Sequence, residues 1–420
     1  MAAYFSRGSI TDNISTADKR AALAQALKAV GKPLRRVLIL PPDHTRLNSD
    51  AGELTRLWYE LLSPGATVTV MPTLGTHSPM TEAQLRMMFG DTIPLDHFYV
   101  HDWRRGVREV GTAPGKLIKE WSEGRVDYDV RVEVSNRLFD GYDLILSVGQ
   151  LVPHEVVGIA NYTKNIMAGA GGPDTINKSH FLGAAYGMER MMGRIDTPVR
   201  KLFNYGVEKF LRDLPIVYVL TVMQKDNTGM VMRGLYIGDD NETFTTGARL
   251  SQKVNLDLLD APLKKVLVYL DPHEFKSTWL GNKAIYRTRM AMADGGDLII
   301  LAPGLKEFGE DPEIDRLIRK YGYRGTPATL AAVKANPELA NNLSAAAHLI
   351  HGSSEGRFRI TYCPGPGMSA DAIRSVGFDA GNLKDYPVEG LKDGFNGDLF
   401  YISNPALGLW ALKSQFAQES

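Results

Sequence analysis

The stretch Arg36-Val37-Leu38-Ile39-Leu40-Pro41-Pro42-Asp43-His44-Thr45-Arg46 opens with a short apolar run, stops it with two prolines and then turns polar. A run of that length without polar alternation reads as a strand buried on both faces of a parallel sheet. Upstream, Thr16 to Val30 spaces its Ala and Leu residues as a helix does and stops at Gly31. Downstream, the spacing predicts a helix from Ala51 to Leu62 and a strand from Ala66 to Met71. The polar loop Gly75-Thr76-His77-Ser78-Pro79-Met80 follows, with a helix capped at Thr81. Leu144 to Val148, Pro215 to Met223 and Met230 to Ile237 read as further strands. Strands alternating with helices predict an α/β domain.

The pattern resets between Asp257 and Pro262. Val266 to Leu270 starts a new strand, Trp279 to Asp294 has helical character, and Gly295-Gly296 leads into the strand Asp297 to Leu301. That is a βαβ unit of a second α/β domain. Pro327 to Ala335 and Asn341 to Ile350 read as helices. The expected architecture is two α/β domains with mainly parallel sheets. The N-terminal one spans 1–260 and the C-terminal one 261–403, with a helix at Leu407 to Gln418 returning so that 404–420 completes the first.

Composition narrows the functional classes. Lys+Arg and Asp+Glu both number 48 in 420 residues, so no global field favours a nucleic acid or an anionic membrane. The one cysteine, Cys363, can form neither an internal disulfide nor a thiolate metal cluster. Any metal must therefore rely on histidine, carboxylate or a ligand brought by a cofactor. No run approaches the roughly 18 apolar residues of a membrane span. The opening Met1 to Asn13 has no apolar core or cleavage site, and the cytoplasm is the expected location.

In open α/β sheets, ligands bind beyond the carboxyl ends of the strands. Three strand exits carry chemistry: Asp43 and Arg46 after the first, His77 after the second, and His154 after Leu144 to Val148. A lone loop histidine is more often a cap or a solvent-facing residue; the repetition sets these apart. Beyond His154, Asn161 to Asn165 interrupts an apolar run, with Lys164 inside the interruption. Gly169, Gly171 and Gly172 follow, where backbone N–H groups can approach an anion, or simply form a turn. His180 comes next, and in the second domain Lys283 stands at an expected helix start, where a cation hints at an anionic ligand.

The ordered set Asp43-His44-Thr45-Arg46, His77, His154, Lys164, His180 and Lys283 resembles the lactate racemase family, the nickel-pincer-nucleotide enzymes. Spacing is the specific part: 3 residues from Asp43 to Arg46, 10 from His154 to Lys164 and 16 from Lys164 to His180. The resemblance runs from about residue 35 to 305. It implies a 2-hydroxyacid racemase or epimerase with its active site in the cleft between the domains. Lys164 would hold a nickel-pincer nucleotide through a thioamide, and His180 would ligate the nickel. Asp43, Thr45, Gly171 and Gly172 would line the nucleotide. His77 and His154 would be the acid–base pair, while Arg46 and Lys283 would hold the substrate carboxylate. The implied partners are a small 2-hydroxy acid, the cofactor-synthesis enzymes and a second copy of the chain in a homodimer.

Lactate-specific members carry a glycine pair before the anchoring lysine, where this chain has Asn161-Tyr162-Thr163. They also carry a glutamine where Leu280 stands, and a late tryptophan where Asn341-Asn342-Leu343 stands. These departures point to a larger 2-hydroxy acid, such as a sugar acid epimerised at C2. The competing readings are a nucleotide-dependent dehydrogenase or hydratase on the same scaffold, and a non-catalytic protein that binds a nucleotide or organic anion.

Overall fold

A computed structural model describes residues 3–226 and 229–416. The chain divides into two compact units, Met1–Ser179 with Met191–Asn255, and His180–Arg190 with Leu256–Ser420.

The first unit is built on six strands: β1 (Phe5–Gly8), β2 (Arg36–Leu40), β3 (Thr67–Val70), β4 (Leu144–Gln150), β5 (Ile216–Asp226) and β6 (Gly229–Gly238). Their order is β1-β6-β5-β4-β2-β3. β3, β2, β4 and β5 run parallel, and β6 and β1 add an antiparallel edge. Val37, Leu38, Ile39 and Leu40 are wholly buried, which explains why β2 shows no polar alternation. On one face, Leu23 of helix Thr16–Val30 and Leu57 and Trp58 of helix Ala51–Leu62 pack on Val37, Ile39, Leu146 and Val219. The first helix is delimited as its sequence predicts, by a Ser15/Asp18 capping box and by Gly31 in the left-handed region.

From β2 the chain crosses to β3 on one side, and the strand on the other side, β4, comes later in sequence. The reversal makes the crevice beyond the carboxyl ends of β2 and β4 a topological switch point. An antiparallel ribbon, Val107–Ala113 with Val130–Ser135, carries no element in the sequence reading. It backs the glycine-rich segment: Glu133 O accepts from Gly172 N, and Ala170 O accepts from Ser135 N.

The second unit holds β7 (Leu263–Tyr269), β8 (Met292–Ala302), β9 (Arg359–Pro364), β10 (Asp379–Ala380), β11 (Gly394–Asn396) and β12 (Leu399–Ile402). Their order is β10-β9-β8-β7-β12-β11, parallel except for β11. Two expectations are corrected here. The helical reading of Trp279 to Asp294 holds only in part: helices Thr278–Gly281 and Lys283–Thr288 end where Ala291 O accepts from Leu263 N and the chain joins the sheet. The tail does not complete the first unit. Its strand Trp410–Leu412 pairs in parallel with Asp257–Leu259, and Asp257 N donates to Leu409 O at 2.8 Å. Only Lys413–Phe416 is helical there, and residues 417–420 lie outside the described ones. Among the described residues, no helix is long and apolar enough to cross a membrane.

Leu409, Ala411 and Phe416 are buried in this pairing. Deleting 404–420 should therefore destabilise the second unit by on the order of 3 kcal/mol. Hydrogen exchange should speed up at Asp257–Leu259 and stay unchanged in β2. Faster exchange in β2 instead would return the tail to the first unit.

Candidate active site

The site grows from the end of β2. Proline cannot donate to a sheet ladder, so Pro41-Pro42 closes the strand, and Asp43 caps a 3-10 turn over His44–Ser49. Asp43 Oδ1 accepts from the Thr45 backbone N–H at 3.1 Å and from Thr45 Oγ1 at 2.5 Å. Its Oδ2 receives His77 Nδ1 at 2.5 Å. Asp43 is almost fully buried, whereas the His77 side chain is 52% exposed. Burial pushes the Asp43 carboxyl up, but the hydrogen bonds from His77 and Thr45 and the charge of Arg46 outweigh it and hold it below the usual range. With Nδ1–H committed to the carboxylate, His77 keeps Nε2 as its basic nitrogen. The His77 loop is tied down at Gly75, whose N–H donates to Gly169 O at 2.9 Å.

His154 sits in the short hairpin Pro153–His154 with Gly158–Ile159. The backbone N–H of Val156 donates to His154 Nδ1 at 3.0 Å. In the neutral ring the proton is therefore on Nε2, the opposite tautomer to His77.

Lys164 follows two consecutive left-handed residues, Asn161 at φ 63° and Tyr162 at φ 57°. It precedes a π-turn, Asn165–Gly169, a form that concentrates at functional sites. The Asn165 amide fixes this segment to the sheet: Nδ2 donates to Leu40 O at 2.9 Å and Ser147 Oγ at 3.0 Å. Thr73 Oγ1 donates to its Oδ1 at 2.7 Å. Lys164 is therefore held at the switch point, partly exposed, and among the described residues its ammonium has no hydrogen bond or ion pair. Desolvation, reinforced by the positive charges of Arg46 and Arg200 and opposed by Glu155 and Asp43, brings its pKa down to about 8. A lysine so placed is a nucleophilic amine near neutral pH.

The first unit thus brings together Asp43, Thr45, Arg46, His77 and Lys164, with His154 on the hairpin leading to the lysine. The N–H groups of the two glycines are engaged within the protein. Gly171 N donates to Ala168 O and Gly172 N to Glu133 O, so neither N–H is left for an anion. A Cβ at Gly171 would stand 2.0 Å from Met167 O, so close packing is what requires glycine there. His180 lies in helix Pro173–Tyr186 but groups with the second unit, as does Lys283, which lies 5.5 Å from the Phe275 ring centre. Among the described residues, no three His, Cys, Asp or Glu side chains converge to hold a metal.

Asn165, Arg200 and buried His101 were not singled out by sequence reading. His101 Nε2 donates to Gly171 O at 3.0 Å and so steadies the glycine segment. The polar interruption at 161–165 marks Asn165, but Arg200 has no local signal at all.

Residues 8–191 match the family model described as the lactate racemase N-terminal domain. That span contains Asp43, His77, His154, Lys164 and His180. Among solved structures, a Thermotoga maritima protein matches with a TM-score of 0.80 and 23% identity, over 96% of this chain and 100% of its own. The lactate racemase apoprotein from Thermoanaerobacterium thermosaccharolyticum matches with a TM-score of 0.69 and 15% identity, over 91% of this chain and 88% of its own. At these identities the two structures establish the fold. No curated protein matches the sequence.

Asn165→Ala should cost about 2 kcal/mol, because it leaves Leu40 O and the Ser147 hydroxyl short of a partner inside the protein, while the Thr73 hydroxyl keeps Pro41 O at 3.0 Å. Urea titration of the purified chain measures this. A loss below about 0.5 kcal/mol would mean the amide does not hold the site.

Proposed function

Since its match over residues 8–191 makes this chain a member of the lactate racemase family, we propose that it inverts C2 of a 2-hydroxy acid as a racemase or epimerase. The observation that carries the proposal is the placing of His77, bonded to buried Asp43, beside a lysine of lowered pKa that has no hydrogen bond or ion pair among the described residues, with His154 on the hairpin leading to that lysine.

The C2 proton of a hydroxy acid is poorly acidic beside a carboxylate, so inversion by hydride removal and return is the easier course. His77 Nε2 is set to take the hydroxyl proton as hydride leaves. Buried Asp43, held as a carboxylate, orients the ring and stabilises the imidazolium that forms. His154 presents Nε2–H as a hydrogen-bond donor for the carbonyl oxygen of the keto acid, and the proton His77 took up is the one returned to that oxygen as hydride comes back. Arg46, whose guanidinium is steadied by Thr45 O at 3.3 Å and Thr45 Oγ1 at 3.2 Å, offers a fork for the substrate carboxylate.

A nickel-pincer nucleotide fits what surrounds Lys164. The amine is half-buried, depressed in pKa and without a hydrogen bond or ion pair among the described residues, as a lysine awaiting acylation would be. A metal here must draw most of its ligands from a bound group, and sulfur and ring-carbon ligands carried by the nucleotide meet that need. When bound, such a group supplies the hydride acceptor that C2 inversion requires.

The Tyr162 ring is directed into the core, stacked on Phe244 at 5.0 Å and against Tyr218 at 4.3 Å, so its bulk is housed there and away from the strand-end rim. We assign the substrate to the C2-epimeric sugar acids and other extended 2-hydroxy acids.

Protein matured with the cofactor-synthesis enzymes should gain the nucleotide mass on Lys164, and Lys164→Ala should lose it entirely. His77→Gln and His154→Gln should keep the adduct while kcat on a responsive epimeric acid falls by at least about 100-fold. Matured wild type that carries no adduct, or that interconverts no member of a broad 2-hydroxy acid panel, would sink the reading. Reduction of free NAD by the same acids would favour a dehydrogenase.

Asp43→Asn should leave His77 in place but with its proton on Nε2, lowering kcat by about 100-fold or more with little change in KM. An unchanged kcat would remove Asp43 from the mechanism.

A further inference from the structure

Arg200 is among the most buried cations of the first unit, at 3% exposure, yet it has no acidic partner among the described residues. A buried charge without a counter-ion is costly, and an apolar residue of similar volume often serves stability better. What the guanidinium holds is one short turn. Nη1 donates to Asn161 O at 3.2 Å and Thr163 Oγ1 at 2.7 Å, and Nη2 donates to Ile159 O at 2.5 Å. Its Cζ lies 4.3 Å from the Phe244 ring centre. The side chain is itself anchored, because Arg200 stands in the first turn of helix Pro198–Phe210. That helix's cap, Thr197, bonds both Arg200 N and Val157 O.

The turn needs holding. A left-handed residue costs about 1–2 kcal/mol unless it is glycine, and Asn tolerates the conformation better than Tyr does. Asn161 and Tyr162 adopt it in succession, with Asn161 Oδ1 accepting from Tyr162 N at 2.8 Å. The next two residues are Thr163 and Lys164, so the path of this turn decides the direction from which the lysine approaches the switch point.

We propose that Arg200 is the positioning residue for Lys164, its guanidinium clamping the left-handed turn from which the lysine leaves the backbone. The proposal rests on the reading of Lys164 as the cofactor anchor. Its charge acts in the same sense as its geometry: Arg200 is one of the cations that lower the proton affinity of Lys164. Losing the clamp frees Ile159 O, leaves Asn161 O with the Lys164 N–H at 3.2 Å as its remaining bond, relaxes the turn and lets more water reach the amine.

Trace acetylation with acetic anhydride across a pH series, read by peptide mass spectrometry, measures the amine directly and needs no cofactor. In wild type the Lys164 midpoint should lie at about 8, with exposed Lys32 as internal reference. In Arg200→Met it should rise by about one pH unit or more towards the ordinary lysine value, cutting the acetylation rate at pH 8 about fivefold. Arg200→Lys keeps the charge without the fork and should give a smaller rise. A role confined to overall stability would lower the Tm and leave the Lys164 midpoint where it is, overturning the proposal. Should Arg200→Met fail to fold, Thr163→Val removes one of the bonded oxygens and should move the midpoint less in the same direction; no movement there counts equally against the clamp. Absence of a nucleotide adduct on matured wild type would instead remove the anchor reading and leave these midpoints as measured, so the two failures are distinct.

Discussion

One buried amide ties the chemistry of the first unit to its sheet. Asn165 reaches Leu40 O at the end of β2, Ser147 within β4 and Thr73 just beyond β3. Those are the strands that flank the topological switch. A side-chain amide has two donors and an acceptor with two lone pairs, so it can bind several fixed groups at once, which an apolar residue cannot. In a low-dielectric interior each unmade bond would cost more than a made one contributes. The arrangement therefore has a single low-energy geometry, and Lys164, one residue earlier, inherits it.

Electrostatic balance around that lysine follows from the same crowding. Arg46 and Arg200 lower its affinity for a proton, Glu155 and Asp43 raise it, and desolvation is the largest influence. Desolvation also acts on Asp43, but there His77 and Thr45 supply three contacts to the charged form and reverse the outcome. Burial thus leaves a carboxylate ionised and an amine readily deprotonated within one rim. The hydrogen-bond partners each group has, rather than burial itself, decide which way its proton goes.

Much of this was legible because it is local. The apolar run ending in Pro41-Pro42, the cap at Ser15 and the stop at Gly31 are properties of neighbouring residues, and the structure places those elements where they read. The order Asp43, His77, His154, Lys164 was legible as an ordered likeness. What escaped reading depends on residues far apart in sequence. Arg200 meets Ile159, Asn161 and Thr163 across about forty positions. The tail strand Trp410–Leu412 pairs with Asp257–Leu259 across about 150, and no local pattern could assign it to that unit. The glycine segment has a close-packing reason that its sequence does not display. Glycine marks close approach of something, and here Met167 O and Glu133 come that close.

The turn before Lys164 separates what a family position requires from which residue supplies it. Where lactate-specific members carry glycines, this chain has Asn161-Tyr162-Thr163, and a residue-by-residue comparison scores that as a loss. The backbone still enters the left-handed region, at φ 63° and 57°. Glycine does so freely; Asn and Tyr need outside support. Phe244 and Tyr218 pack the Tyr162 ring, and Arg200 binds the carbonyls. Arg200 and the aromatic cluster are then explicable together, as the support that a left-handed turn without glycine needs. With Asn and Tyr in these positions and Arg200 on the carbonyls, the turn is braced, so the lysine has fewer directions available than glycine would allow. A braced turn holds the lysine in one register before anything binds, so the contacts of a bound molecule need not correct the position of the amine.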